Sequence, residues 1–466
     1  MHIDIVIVTG YIILLIYMGL RGGKVTTGAA FSASDTTYGA PVLFMSLAAS
    51  YIGGGFSAGN AAYAFSDGIG MTVALCGFSV VTVLTGKFLA PGVSRFAGAH
   101  TTGDIISRTF GRRAGMVCGV VAFFTCAAVV GAQMQAMGTV LHALLGIPYA
   151  AGILLGCGVV LVYSTIGGLQ SVIAADTVQF VLLAAGMPIL LLAALHQAGG
   201  LQAVIAATPS PLFNPLHNTT LPAFLSFAFT AACGEMLVPP YTQRLLIGNR
   251  PSAAVRGTIA GGIFSVPFFA ITGLLGLCAR ALQVTVTPAD AMPALILQVL
   301  PVGLRGLIMA AMVSMMLSAA DGFLNGAAVS LVEDVLLPLV PAMSDRHRLR
   351  WLRAVNLLTG VCGVCTALFI PHIFRILEIS YTLWAPLMVP PLVFALRGGK
   401  ADGHTFAHGM IAGFSGTVLW EYLLCRPFGV SGAPIGMAAH ILVFGVSYLS
   451  KRRKSGLRMP SSCDIL

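Results

Sequence analysis

One polar face runs through an otherwise apolar segment in the second half of the chain. It consists of Ser314, Ser318, Asp321 and Asn325, whose spacing of i, i+4, i+7 and i+11 places them on one side of a helix. A carboxylate in hydrocarbon is costly unless a cation, a hydrogen-bond donor or a proton accompanies it. Hydroxyl and carboxylate oxygens are also the ligands that a hard cation prefers. The face therefore predicts either a cation site turned towards the protein interior or a stripe of interhelical hydrogen bonds.

Two further carboxylates lie at positions where a membrane helix is disturbed. Asp176 and Gln179 stand at i and i+3 after a glycine pair, and Glu235 comes shortly before Pro239. Asp176 could cap or pair locally, or it could belong to a functional site. Glu235 could hydrogen-bond exposed backbone, or it could bind an amine or a proton.

The amino-acid composition indicates that these polar residues lie in membrane-spanning helices. The 466 residues are 57% hydrophobic and only 9% charged, which predicts an all-α integral membrane protein. Apolar spans of about 20 residues are predicted near 3–20, 40–65, 70–94, 114–143, 148–166, 172–196, 220–243, 254–280, 303–337, 354–371, 374–396, 405–425 and 433–450. We therefore expect about thirteen transmembrane helices.

The formal net charge of +10 comes from short basic clusters between these spans. They are Arg21 to Lys24, Arg108 to Arg113, Arg244 to Arg256, Arg346 to Arg353, Arg397 to Lys400 and Lys451 to Lys454. All fall on one side if the N-terminus starts outside, so they predict topology and not nucleic-acid binding. The C-terminus is then expected in the cytoplasm, in a plasma or inner membrane.

Two of the predicted spans are interrupted. The second contains Gly53, Gly54 and Gly55, and glycine weakens a helix by about 1 kcal/mol relative to alanine. The seventh contains Pro239 and Pro240, which remove two backbone donors. Both helices should break near mid-depth, where irregular backbone is tolerated only inside protein or beside a cavity.

Each broken helix opens a run of about five spans, and an odd number makes the two runs enter from opposite sides. Interrupted helices at matching positions of two inverted halves indicate a secondary transporter with its site between the halves. We expect a peripheral helix and cytoplasmic loop in 1–39, inverted repeats in 40–200 (helices 2–6) and 201–400 (helices 7–11), and peripheral helices 12–13 with a basic cytoplasmic tail in 401–466.

Several of these motifs together resemble the sodium:solute symporter family. They are the segment Tyr163 to Gln179 with its Gly167-Gly168 and Asp176-x-x-Gln179, the pair Gln243-Arg244, and Ser318-x-x-Asp321. The tripled glycine after Ala-Ser-Tyr looks most like the branch that contains high-affinity choline transporters. The resemblance implies a leucine-transporter-like five-plus-five inverted repeat and symport of a small solute with Na⁺, and no enzymatic activity.

The resemblance also implies an ion site. It would consist of backbone oxygens near Leu47 and Ser50, the Met315 carbonyl and the Ser318 hydroxyl. The family commonly has a second hydroxyl where this chain has Ala319, which removes one oxygen ligand. Asp176 and Asp321 are expected at an additional ion position, where a proton could replace sodium.

The solute is expected beside the two breaks. Candidate residues are Gly53, Gly54, Gly55, Phe56, Asn60, Gln133, Gln135, Glu235, Tyr241, Tyr381 and Trp384, and most of these could equally be packing residues. Aromatic faces bind organic cations, and no arginine is expected near mid-membrane to bind an anion. The sequence thus favours an amine, a quaternary ammonium or an amino-acid-like solute.

Other classes of function remain as alternatives. A channel often repeats one pore-lining motif, which this chain does not show; a solute sensor without transport stays open, as does proton-coupled symport. An enzyme is not expected, on the grounds that the H-E-x-x-H motif of an intramembrane metalloprotease and the G-x-S-x-G motif of a hydrolase are both expected to be missing. We expect a small-molecule solute and membrane lipid as partners, with no nucleic acid and no obligate protein partner.

Overall fold

The computed structural model describes residues 2–21, 25–32, 37–370 and 372–454, which form helices and connecting turns. Within these ranges no β-strand forms, and Tyr38 and Gly248 make one isolated backbone bridge. The helices are α1 His2–Arg21, α2 Gly28–Ser32, α3 Ala40–Tyr51, α4 Asn60–Asp67, α5 Gly70–Phe88, α6 Thr102–Phe110, α7 Arg112–Leu145, α8 Tyr149–Ala198, α9 Leu201–Ala207, α10 Leu221–Gly234, α11 Pro239–Leu246, α12 Pro251–Ala281, α13 Ala291–Val299, α14 Leu304–Leu331, α15 Leu337–Leu339, α16 Asp345–Phe369, α17 Ile373–Leu396, α18 Gly403–Val418 and α19 Gly432–Lys454.

Among the described residues, nine helices are long and apolar enough to cross a membrane, or eleven if each of two bent pairs counts as one span. The two spans predicted near 148–166 and 172–196 are one hydrogen-bonded helix, α8, of 50 residues. At about 1.5 Å per residue, α8 is more than twice as long as a bilayer core of about 30 Å is thick. Gly168, with φ 56° and ψ −161°, bends it, so α8 supplies two crossings. With α18 and its π-helical continuation Leu419–Leu423 as a further crossing, the number returns to the predicted thirteen.

Helix α16 begins well before the predicted start near 354. The Ser344 hydroxyl accepts a hydrogen bond from the His347 N–H, and Asp345 occupies the first turn. Both features stabilise a helix N-terminus, so the basic segment after Ser344 extends the membrane helix and does not form a loop.

Helix α14 lies at the centre of the molecule. It packs most extensively against α7 and α8, and from Ile308 to Ser330 its residues are buried. By contrast, α1 and α19 leave much of their apolar surface exposed, as expected for lipid-facing helices. The predicted polar face from Ser314 to Asn325 is therefore surrounded by protein.

Candidate functional site

The first break separates α3 from α4. Helix α3 ends at Tyr51, a π-helical turn covers Gly55–Gly59, and the two helices meet at 61°. The Gly54 N–H donates to the Gln133 Oε1 of α7 at 2.7 Å. A Cβ on Gly54 would lie 2.5 Å from the Ala136 Cβ. Glycine is thus required here because α7 packs directly against the broken backbone.

The second break separates α10 from α11, which meet at 46°. It occupies Glu235 to Val238, and Leu237 has a left-handed φ of 55°. Pro239 and Pro240 lie in the first turn of α11, where a missing N–H leaves no helical bond unmade. The Met236 carbonyl accepts a hydrogen bond from the Trp384 indole at 2.9 Å. A side chain of α17 therefore satisfies the backbone that the break exposes.

A narrow cavity of about 10 Å³ lies between the two breaks and is lined by Gly53, Gly55, Phe56, Gln133, Glu235 and Tyr381, among others. The Tyr381 hydroxyl donates to the Glu235 Oε1, and the other carboxylate oxygen has no partner among the described residues. Nor does any basic side chain of the described chain form an ion pair with Glu235. The cavity has room for about one water molecule, so a solute needs it to widen.

Three predicted solute residues make other contacts. The Asn60 amide donates to the Phe269 carbonyl and the Thr272 hydroxyl, both at 2.9 Å, and thereby joins α4 to α12. The Trp384 indole donates its hydrogen bond to the Met236 carbonyl of the second break. The Tyr241 hydroxyl is 3.4 Å from the Ser50 carbonyl, which it reaches from α11, and it also interacts with Glu235. The contacts of Asn60 and Trp384 correspond to the packing alternative that the sequence left open.

A buried ion pair joins α8 to α11. Asp176 accepts hydrogen bonds from the Ser46 and Ser318 hydroxyls, both at 2.5 Å, and from the Arg244 Nη2 at 2.8 Å. Arg244 also donates to the Ser50 hydroxyl at 2.8 Å, and both charged side chains are 0% exposed. Arg244 was grouped with the basic cluster to Arg256, but its side chain is buried in the protein. The negative charge of Asp176 offsets the cost of burying it.

The ion-site candidates come from two helices that meet at this pair. Leu47 and Ser50 lie near the end of α3, and Met315 and Ser318 lie on α14; all are buried. Carbonyls near a helix break and a serine hydroxyl are oxygen donors that suit a hard monovalent cation. Ala319 adds only a methyl group, while the Asp176 carboxylate lies directly behind Ser318. The donor set therefore fits sodium chemically, and the Asp176 carboxylate lies within hydrogen-bond distance of its serine hydroxyl.

Asp321 lies within reach of the Asp176 charge but accepts its hydrogen bond from another residue. Its Oδ2 accepts a hydrogen bond from the Tyr163 hydroxyl of α8 at 2.8 Å, and its Oδ1 has no partner in the described part of the chain. Ser314 on the same face donates to the Tyr11 hydroxyl of α1 at 2.6 Å. The structure thus brings Asp176 and Ser318 into contact, whereas Asp321 is held by Tyr163.

Four residues that make hydrogen bonds at this site were not predicted from the sequence: Tyr11, Ser46, Tyr163 and Arg244. Tyr163 and Arg244 stood inside the quoted motifs, so a signal was present without a role attached to it. Ser46 and Tyr11 carry no such signal, because only the packing of α3 and α1 brings them to the site.

The turn Gly55–Gly59 matches the G-x-S-x-G pattern of hydrolase nucleophiles, so the expectation that this pattern is missing from the sequence is wrong. That pattern places serine on a sharp turn between a strand and a helix. Here it forms a buried π-helical turn, and the Ser57 hydroxyl donates to the Gly53 carbonyl at 2.7 Å. The serine is therefore part of the first break.

Two broken helices that meet around buried polar groups, in a helical membrane protein, define the architecture of a secondary transporter. The model of the Sodium:solute symporter family matches residues 34–413. The chain belongs to this family, as its motifs predicted.

Curated relatives extend along most of the chain. The sodium/pantothenate symporter of Escherichia coli (strain K12) is 26% identical over 392 residues, which cover 80% of each chain. Sodium/glucose cotransporter 2 of Rattus norvegicus is 26% identical over 74% of this chain and 60% of its own. The high affinity choline transporter 1 of Homo sapiens is 23% identical over 79% of this chain and 66% of its own.

Solved structures confirm the fold. A Na⁺-coupled sialic acid symporter in a substrate-bound outward-open state has a TM-score of 0.84 at 15% identity, covering 96% of this chain and 98% of that one. A nucleobase-cation-symport-1 family transporter has a TM-score of 0.61 at 14% identity, covering 91% and 98%. The leucine-transporter-like inverted repeat is thus confirmed for this chain.

Proposed function

We propose that the protein is a secondary active transporter that couples Na⁺ entry to symport of a small organic amine, quaternary ammonium or amino-acid-like solute by alternating access. Family membership supports sodium-coupled solute symport. The named relatives act on solutes as different as pantothenate, glucose and choline at similar identity, so they do not favour one solute. The preference for an amine comes from the narrow cavity between the two breaks, which we name the central cavity.

Glu235 is the observation that carries this preference. Glu235 is 5% exposed, lies at the second break near the Tyr241 hydroxyl, and has one carboxylate oxygen without a geometric hydrogen bond among the described residues. A buried anion without a cation is costly, so it requires a proton or a positively charged ligand. Phe56 and Tyr381 line the same cavity, and aromatic rings stabilise organic cations by about 0.5–2 kcal/mol.

The proposed sodium ion binds the oxygens near Leu47 and Ser50, the Met315 carbonyl and the Ser318 hydroxyl. Asp176, behind Ser318, contributes negative charge that offsets the hydroxyl missing at Ala319. Arg244 neutralises part of that charge, so the two residues together set the ion's affinity. Proton coupling at Glu235, Asp176 or Asp321 is the alternative, and a sensor or channel without coupled transport is the alternative of another class.

We also propose an orientation in the membrane and a division of the chain into two inverted repeats. The basic clusters support a cytoplasmic C-terminus and an outer N-terminus in a cell membrane. Residues 40–200 and 201–400 are the proposed inverted repeats, and the flanking helices are peripheral.

The test is ligand-dependent thermal stability of the purified protein across amines, amino acids, sugars and sugar acids, in Na⁺ and in K⁺ at equal ionic strength. A ligand that binds the folded state raises its melting temperature, and coupled ligands raise it more together than separately. We expect synergy between Na⁺ and one amine, lost in Glu235→Gln and Ser318→Ala but kept in Asp402→Asn, which removes an exposed carboxylate that pairs with Lys451 away from the breaks.

Other results of this assay would change the proposed solute, site or coupling ion. Stabilisation by a sugar acid instead of an amine would overturn the solute class, and synergy that survives Glu235→Gln would remove Glu235 from the site. Stabilisation that ignores Na⁺ but shifts with pH would favour proton coupling. Binding with synergy but without solute accumulation in vesicles would indicate a sensor.

A further inference from the structure

We propose a second solute site, in a cavity of about 600 Å³ beside the proposed entry path, that binds small organic cations before they reach Glu235. We name it the acidic cavity. It lies between α4, α7, the beginning of α17 and the turn before α13. The choice of an organic cation rests on the proposed function. The negative charge of the cavity is observed independently, from the residues that line it.

The acidic cavity adjoins a vestibule of about 480 Å³. The vestibule reaches Phe56 and Tyr381, which line the central cavity, so it is the proposed path to the solute site. Tyr63, Asp67 and Phe374 line both spaces and form the wall between them. The rings of Tyr63 and Phe374 meet edge to face at 5.4 Å. A solute in the acidic cavity is therefore one aromatic wall away from the entry path.

The two spaces differ in charge. The vestibule includes Arg375 and Arg426 together with Glu378, which pairs with both at 3.0 and 2.7 Å. The charged residues lining the acidic cavity are Asp67 and Asp290 alone, apart from two histidines. Neither aspartate forms an ion pair with a basic side chain in the described ranges; their partners are Asn218, Ser66 and Thr287. The acidic cavity thus presents uncompensated negative charge.

Gln135 supplies a third acceptor. Its side chain is 3% exposed and lines the acidic cavity, and its Nε2 donates to the Ile370 carbonyl at 2.7 Å. The Oε1 has no partner in the part of the chain that the structure describes. A buried amide oxygen without a donor is costly, so it favours a ligand that donates or carries positive charge. The aromatic rings of Tyr63, Phe374 and Tyr149 add faces suited to an ammonium group.

The test measures charge selectivity at a cysteine placed in the cavity. Thr139→Cys is introduced at a lining residue in a Cys365→Ser/Cys425→Ser/Cys463→Ser background, because Cys365 and Cys425 are exposed and Cys463 lies outside the described residues. The full-length protein in detergent is treated with cationic trimethylammonioethyl or anionic sulfonatoethyl methanethiosulfonate, and the adduct is followed by mass. Thr219→Cys, which lines only the vestibule, is the matched control.

After correction for intrinsic thiol reactivity, we expect the cationic reagent to modify Thr139→Cys about tenfold faster than the anionic one, because acidic clefts concentrate cations. Asp67→Asn/Asp290→Asn removes this preference, and Thr219→Cys shows little. Tetramethylammonium should protect Thr139→Cys saturably beyond NaCl of equal ionic strength, also in Glu235→Gln.

Equal rates for the two reagents, or a preference that survives the double variant, would refute the acidic cavity. Protection no greater than that of NaCl would show charge screening without a binding site. Because these readouts do not require transport or Na⁺, the acidic cavity can fail while the symporter proposal stands, and the reverse.

Discussion

Arg244→Gln is the substitution with the most direct energetic consequence. The guanidinium donates to Ser46, Ser50, Asp176 and the Pro240 carbonyl at 2.7–2.8 Å, in a site with no solvent exposure. Its removal leaves the Asp176 carboxylate buried with only hydroxyl donors. Breaking one partner of a buried pair costs about 3–5 kcal/mol.

This cost can be expressed as a melting temperature. At about 2.1 cal/mol/K per residue, 466 residues give an unfolding entropy of roughly 1 kcal/mol/K. We therefore expect Arg244→Gln to melt about 3–5 °C below the wild type, measured by the fluorescence of the purified protein in detergent. The double variant Asp176→Asn/Arg244→Gln should recover at least half of the loss, because it no longer buries an unpaired charge.

The control is Arg375→Gln, which breaks a half-exposed pair with Glu378. Exposed pairs contribute about 1 kcal/mol or less, so its melting temperature should fall by about 1 °C at most. The reasoning is refuted if Arg244→Gln melts with the wild type, or if the double variant loses the sum of the two single losses.

Three further substitutions have defined outcomes. Ala319→Ser restores an oxygen ligand and should lower the Na⁺ concentration for half-maximal stabilisation several-fold; an unchanged midpoint would place the ion elsewhere. Gly54→Ala forces a Cβ against α7 and should cost about 1–3 kcal/mol, whereas Gly158→Ala, with open space around it, should not destabilise, as thermal melts of both would show. His440→Phe leaves the Pro386 carbonyl without the ring nitrogen at 2.7 Å and should cost about 1–3 kcal/mol in the same assay; a neutral result would mean that water replaces the imidazole.

Glycine and proline made the architecture predictable. The tripled glycine and the proline pair marked both breaks, because these residues change the backbone itself and their effect is local. The motifs around Asp176 and Ser318 then identified the family. The division of α8 was also visible, since Gly167 and Gly168 separate two apolar runs.

The partners of the site residues were much less predictable. Arg244 ends an apolar span and opens a basic stretch, so the linear charge pattern assigns it to the membrane surface. Only the arrival of Asp176 from another helix makes its burial favourable. In the same way, the sequence shows Asn60 and Trp384 only as polar groups near the breaks. Their actual partners belong to α12 and to the backbone of the second break.

The hydrogen bonds that hold the two breaks to neighbouring helices oppose movement of the broken helices. The Gly54 N–H is paired with Gln133 of α7, and the Met236 carbonyl with Trp384 of α17. Any movement of the broken helices away from α7 and α17 strips both backbone groups of their partners, at about 1–3 kcal/mol each. Water that enters the widening cavity can replace both bonds. Hydration of the breaks therefore lowers the free-energy cost of separating the broken helices from α7 and α17.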